Sequence, residues 1–123
     1  MTERRGSEIV KTINTTGSPI LGNMKTVVLI NGGSASASEI VAGALRDYDK
    51  AKLVGQKSYG KGSVQIVIGL PGGSQMKVTE ARWYTPKGSN IDKTGIEPDM
   101  KVDLSADDIN NNRDPQMDKA KSL

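Results

Sequence analysis

Three serines occupy alternate positions in a segment that joins a predicted strand to a predicted helix. They are Ser34, Ser36 and Ser38, within the run from Asn31 to Ile40. At such a turn, unpaired backbone N–H groups and the positive end of the helix dipole converge, which favours an oxyanion. A serine there can attack a carbonyl carbon while the next N–H stabilises the developing charge. Helix capping and phosphate binding are the two other interpretations of these residues, although neither common phosphate fingerprint is present.

The composition restricts which base could activate such a serine. The 123 residues include no His and no Cys, which excludes a Ser-His-Asp triad, a thiolate nucleophile and the usual His or Cys metal ligands. A carboxylate or a lysine remains. Lys61 lies between Gly60 and Gly62, where the backbone can approach another segment closely. A lysine is protonated in water near neutral pH, so this role requires burial away from acids, and an exposed lysine in a glycine turn is the simpler interpretation.

The charge pattern argues against nucleic acid as a partner. The 17 Lys and Arg residues exceed the 14 Asp and Glu residues by a net charge of only +3, and the two signs are interleaved, as in the run from Arg46 to Lys50. The longest apolar stretch, Val27 to Ile30, is far shorter than the roughly 20 residues of a membrane-spanning helix. With 35% hydrophobic residues, the chain is predicted to form one globular domain, whose compartment the absence of Cys leaves undetermined.

A strand, helix, strand unit is predicted to hold the serine segment. The β-branched run from Thr26 to Ile30 predicts a strand buried on both faces of a parallel sheet. A helix is predicted from Ser38 to about Tyr48, with Glu39 in its first turn complementing the helix dipole. Its apolar residues at helical spacing are Ile40, Val41, Ala44 and Leu45. The run from Ala51 to Gly55 predicts the second strand of a crossover with the serines at the helix entrance.

The rest of the chain predicts a mixed sheet and a short terminal helix. Residues 1–21 are polar, with one short apolar alternation at 9–13. A hairpin and a further strand are predicted at 63–70, 75–79 and 81–85, and a last short extended segment is predicted at 100–102. The chain is polar again from Leu104. Asp114 and Pro115 then predict the N-cap and first-turn proline of a terminal helix.

Five ordered motifs resemble the peptidase core of the carboxyl-terminal processing (tail-specific) serine proteases. They are Asn31 to Ile40, Gly43 to Asp47, Gly60 to Gln65, Tyr84 to Gly88 and Gly95 to Asp99. The resemblance covers Thr26 to Val102 and extends more weakly to Asp114 to Leu123. It implies an α/β fold of the crotonase-like type, with a strand-helix-strand crossover, a mixed β-sheet with a hairpin, and a short C-terminal helix.

The resemblance also assigns roles to individual residues. Ser36 matches the family nucleophile and Lys61 its general base, so their Oγ and Nζ atoms are expected within hydrogen-bonding reach. Gln65 matches a glutamine that orients the lysine in some members, and Asp47 matches a supporting acid. The backbone N–H of Ala37 would be one oxyanion donor.

The two other serines of the segment then have structural roles. Ser38 is expected to satisfy the end of the helix, and Ser34 is left without a part in the chemistry. No metal and no organic cofactor is implied.

The implied function is a serine endopeptidase core that cleaves proteins near their carboxyl terminus through a Ser-Lys dyad and an acyl-enzyme. Family members carry, upstream of this core, a PDZ domain that captures substrate tails and a glycine-rich loop that supplies a second oxyanion donor. The sequence shows no counterpart of either, so a core truncated on its N-terminal side is expected. A non-catalytic peptide-binding or scaffold module, or an inactive fragment of such a protease, is the alternative.

The resemblance divides the chain into three regions. Residues 1–25 form a polar lead-in, a remnant of preceding core; 26–103 form the Ser-Lys peptidase core; and 104–123 form a polar tail with a short helix. The expected partners are protein or peptide substrates and, through an exposed sheet edge, a second copy of the chain. Full-length family members are expected to be periplasmic, membrane-anchored or extracellular.

Overall fold

The computed structural model describes all residues from Met1 to Leu123 as seven strands, three α-helices and one 3₁₀ turn. The strands are β1 (Thr2–Arg5), β2 (Glu8–Thr12), β3 (Val27–Ile30), β4 (Lys52–Gly55), β5 (Ser63–Gly69), β6 (Gln75–Tyr84) and β7 (Met100–Lys101). The helices are α1 (Ala37–Asp47), α2 (Ala106–Asn110) and α3 (Pro115–Lys121), and the 3₁₀ turn is Pro71–Gly73. This is the α/β fold predicted from the sequence.

Two sheets make up the molecule. A parallel sheet has the strand order β3-β4-β7, and an antiparallel sheet has the order β2-β1-β6-β5. The buried apolar cluster lies between α1 and the parallel sheet and consists of Ile30, Ala42, Leu53, Ile91 and Ile96, with Trp83 packed against it. None of the three helices has the length and apolar character that a membrane span requires.

The predicted crossover is confirmed by β3, α1 and β4. Val27 pairs with Lys52 and Ile30 with Gly55 in parallel register. Because parallel strands run in the same direction, both strands end at one edge of the sheet, where the serine turn and the loop leading to Lys61 begin. The Tyr59 N–H donates to the Ser34 carbonyl oxygen at 2.9 Å, which joins the two segments directly.

One burial prediction for this unit is wrong. β3 is not buried on both faces, because 38% of Leu29 is exposed and only Ile30 is fully buried. On α1, the buried residues are Glu39, Ala42, Gly43 and Asp47, while 56% of Val41 is exposed. The apolar residues of α1 at helical spacing, Ile40, Val41, Ala44 and Leu45, line a groove of about 380 Å³ together with Met1 and Ile13. Helical periodicity identified an apolar face but not the face that meets the sheet.

The antiparallel sheet corrects two further predictions. The segments predicted at 75–79 and 81–85 form one ten-residue strand, β6, because Glu80 occupies a bulge and does not interrupt the strand. There its carboxylate pairs with Arg5 at 2.8 Å. Arg5 belongs to a hairpin of β1 and β2 that pairs with β6, so the polar lead-in contains two strands.

The C-terminal region contains one helix that was predicted and one that was not. Asp114 caps α3 by accepting the Met117 N–H at 2.8 Å, with Pro115 in the first turn, as predicted. The short helix α2 was not predicted, although Ser105 and Asp108 form its capping box. α3 packs against β3 and β4 and therefore covers the parallel sheet.

Candidate active site

Ser36 stands at the N-cap position of α1 in a strained conformation. Its φ of 57° and ψ of −117° lie in a region that non-glycine residues rarely adopt, at a cost of about 1–3 kcal/mol. The hydroxyl makes no capping hydrogen bond with the helix, and the residue is exposed to solvent. A serine held in this way presents a free Oγ at the positive end of α1.

Close packing on both sides fixes the loop that carries Lys61. Gly60 has a φ of 91°, and a Cβ there would lie 2.9 Å from the Gly95 nitrogen. A Cβ on Gly62 would overlap the backbone of Asp92. The close approach to another segment that was predicted for these glycines is therefore observed, and it holds the backbone on either side of Lys61.

The side chain of Lys61 is exposed, which contradicts the burial that a general base was expected to need. It makes no ion pair with any of the chain's carboxylates. Together with Gly32, Gly33, Ala35 and Tyr59, it lines an open cleft of about 590 Å³. In this structure Lys61 is thus without an ion-pair partner, but it lacks the desolvation that the chemistry requires.

Glu39 joins the two halves of the site, although its position in the sequence predicts only an interaction with the helix dipole. The residue is 0% exposed. Its Oε2 accepts the backbone N–H groups of Ser36 and Lys61, each at 2.9 Å. Its Oε1 accepts the Ser58 hydroxyl at 2.5 Å and the Gly60 N–H at 2.7 Å. Four donors and the helix dipole stabilise a buried carboxylate that has no cationic partner.

One carboxylate oxygen thus fixes the separation of the Ser36 and Lys61 backbones. Their two nitrogens can be no farther apart than the sum of two hydrogen-bond lengths. No hydrogen bond joins Ser36 Oγ to Lys61 Nζ, so the contact expected between these side chains is not made in this structure. The signal that could have identified Glu39 is the spacing Ser-x-x-Glu, which is typical of a capping box.

Of the other predicted site residues, Ala37 lies at the site, whereas Gln65 does not contact Lys61. The Ala37 N–H, at the first position of α1, has no acceptor in the chain and is available to an oxyanion. Gln65 Nε2 lies 3.4 Å from Thr79 Oγ1 and makes no hydrogen bond with Lys61. The structure therefore brings Ala37 to the site but leaves Gln65 engaged on β5.

Asp47 lies at the opposite end of α1 from Ser36, about 16 Å away at the usual rise of 1.5 Å per residue. It is buried, and its Oδ2 accepts the Lys87 N–H at 2.8 Å. This bond ties the helix to the motif from Tyr84 to Gly88. The contact is structural, and the carboxylate does not reach the reacting atoms.

Of the two other serines, one has the structural role that was expected. Ser34 Oγ accepts the Asn31 N–H at 3.1 Å within the turn. Ser38 does not cap the helix, because α1 begins one residue earlier than predicted and Ser36 takes the N-cap position.

Several known proteins are similar to this chain. A carboxy-terminal-processing protease of Bartonella bacilliformis is 54% identical over 77 residues, which are 63% of this chain and 18% of that protein. A probable CtpA-like serine protease of Staphylococcus haemolyticus is 46% identical over 96 residues, covering 78% of this chain and 19% of that protein. The solved photosystem II D1 C-terminal processing protease superposes with a TM-score of 0.63 at 46% identity, over 66% of this chain and 21% of that one.

The fold and these relatives define the class of proteins that the chain resembles, a group of proteases. Residues 1–102 match the model of peptidase family S41, and the chain belongs to that family. The match includes the β1 and β2 hairpin and ends before α2. The chain spans about a fifth of the length of the two curated relatives, 18% and 19%.

Proposed function

We propose that this chain is the catalytic core of a serine endopeptidase that acts near the carboxyl terminus of protein substrates, with Ser36 as nucleophile and Lys61 as general base. The observation that carries the proposal is the shared acceptor Glu39 Oε2, which holds the backbones of both residues. Support for the site of action comes from relatives named as carboxy-terminal-processing proteases.

The chemistry begins with a neutral Lys61 amine. As Ser36 Oγ attacks the carbonyl carbon of the scissile bond, Lys61 Nζ takes the hydroxyl proton. The carbonyl oxygen gains negative charge, and the free N–H of Ala37 stabilises it. Collapse of the tetrahedral intermediate breaks the C–N bond, and the leaving amine takes the proton from Lys61.

The second half of the cycle repeats these steps with water. The acyl group is then an ester of Ser36, and Lys61 removes a proton from the attacking water. Collapse returns that proton to Ser36 Oγ and releases the carboxylic acid. Every proton that leaves a nucleophile passes through one amine, so a single base serves both half-reactions.

The substrate itself supplies the desolvation that Lys61 lacks in this structure. Lys61 and the exposed Tyr59 both line the open cleft. A peptide that fills the cleft excludes water from Nζ and thereby disfavours its charged form. Binding of the peptide then also activates Lys61 as the base.

The remainder of the parent protein would complete the site. Ala37 provides one oxyanion donor, and the loss of one donor from such a hole lowers kcat by about 10²–10³. We propose that an upstream glycine-rich loop supplies the second donor and an upstream PDZ domain captures the substrate tail. The parent protein would act in the periplasm, at a membrane or outside the cell.

The test is cleavage of an unstructured protein with an apolar carboxyl end by the chain with the upstream segment supplied in cis, measured by mass spectrometry. Ser36→Ala and Lys61→Ala are expected to lose activity to the same extent, because the two residues act as one unit. Lys61→Arg is expected to fail equally, since a guanidinium stays protonated. Lys57 is the matched control, because its side chain makes only an exposed ion pair with Glu97 at 3.0 Å. Lys57→Ala should cleave normally.

Two results would refute the dyad. One is cleavage retained in Lys61→Arg. The other is peptide binding without cleavage by the unsubstituted chain completed with the upstream segment, which would favour a scaffold.

A further inference from the structure

Ser58 is a buried hydroxyl with two short hydrogen bonds and no part in the chemistry described above. Its side chain donates to Glu39 Oε1 at 2.5 Å and accepts the Ile96 N–H at 2.7 Å. Its own N–H donates to the Ile96 carbonyl oxygen at 3.1 Å. Only 6% of the residue is exposed, so water cannot replace these partners readily.

The carboxylate of Glu39 can hold the Ser36 and Lys61 backbones only if its plane is fixed. Oε2 accepts from both of those residues, and rotation about the last side-chain torsion would move it away from one or the other. Glutamate shows a broad distribution of this torsion angle, so the partners of the second oxygen, Oε1, must set it. Those partners are the Gly60 N–H and the Ser58 hydroxyl.

We infer that Ser58 is a positioning residue for the proposed dyad, acting through Glu39. Its hydroxyl orients the carboxylate, and the Ile96 N–H orients the hydroxyl, so the turn at Ile96 is connected to Ser36 and Lys61 by one chain of hydrogen bonds. The role as a dyad-positioning residue rests on the proposed function. The effect on the two backbones does not.

The experiment compares Ser58→Ala with Ser58→Thr. The first removes the hydroxyl, and the second keeps it with one added methyl group. Amide hydrogen exchange read by NMR reports on the Ser36 and Lys61 N–H groups, whose protection depends on Glu39. Reaction of Ser36 with a fluorophosphonate reports on nucleophilicity, since Oγ bonds to phosphorus, fluoride leaves and the base takes the proton. Circular dichroism confirms that each variant is folded at the temperature used.

We expect the Ser36 and Lys61 N–H groups to exchange at least tenfold faster in Ser58→Ala than in the unsubstituted chain. In Ser58→Thr they should exchange near the normal rate. Labelling of Ser36 should fall about 10- to 100-fold in Ser58→Ala and be restored in Ser58→Thr. In a Glu39→Gln background, Ser58→Ala should add little further loss, because residues in one hydrogen-bond network are not additive.

The results distinguish failure of the Ser58 positioning role from failure of the proposed Ser36–Lys61 dyad. Unchanged exchange at both amides in a folded Ser58→Ala, or losses that add fully to those of Glu39→Gln, would overturn the inference. If Ser58→Thr does not fold, the effects of Ser58→Ala with and without Glu39→Gln still test the inference. If Lys61→Ala labels as fast as the unsubstituted chain, the dyad is refuted even where the exchange data show that Ser58 holds the two backbones.

Discussion

Replacement of Glu39 by glutamine tests the centre of the site with the smallest change of shape. The carboxylate is fully buried and accepts four hydrogen bonds. An amide keeps one acceptor oxygen and turns the other position into a donor, so two of the four donors lose their partner. Hydrogen bonds to charged groups contribute about 1.5–3 kcal/mol each, and the buried N–H groups left behind add a desolvation cost. We therefore expect Glu39→Gln to lose about 3–6 kcal/mol of the free energy of unfolding from these two bonds alone.

The loss would be measured by urea denaturation, with the fluorescence of Trp83, the single tryptophan, as the probe. Total stabilities of about 5–15 kcal/mol make a loss of this size a large shift in the midpoint. Glu8→Gln is the matched control, because Glu8 is exposed on β2 and should change stability by less than about 0.5 kcal/mol. A Glu39→Gln variant within about 1 kcal/mol of the unsubstituted chain would show that the carboxylate does not hold these four donors.

Three further predictions concern the turn, the loop and the tail. Gly62→Ala should lose at least about 1–3 kcal/mol, because its Cβ would overlap neighbouring backbone, whereas Gly69→Ala, which has open space, should change little in the same urea assay. Ser36→Gly should be more stable than Ser36→Ala by about 1 kcal/mol or more, since glycine relieves the positive φ, and equal midpoints would contradict the strain. The Ser105 hydroxyl holds the pKa of the Asp108 carboxyl below its ordinary value, so Ser105→Ala should raise that pKa in an NMR titration. In the unsubstituted chain the stabilising effect of this carboxylate is present above the ordinary carboxyl pKa and is lost as the pH falls through the lowered value.

The strand-helix-strand crossover could be predicted because its signals are local. A β-branched run without charges, an apolar pattern at helical spacing and the glycines between them are each contained within about a dozen residues. The same holds for the cap of α3, where Asp114 and Pro115 stand next to each other. The two strands of the lead-in were missed because β1 is stabilised by pairing with β6, about 80 residues away in the chain.

The amino-acid sequence by itself determined which chemistry is available: without His and Cys, a lysine or a carboxylate remains as the base for a nucleophilic serine. It also determined that glycines flank Lys61, which allows its loop to pack closely. Only the tertiary structure decided that Glu39 joins the two residues, because its bonds to Ser58, Gly60 and Lys61 span 19 to 22 positions. It also decided which face of α1 is buried. A helix repeats its faces every 3.6 residues whatever it packs against, so the choice of face depends on neighbours that no local pattern contains.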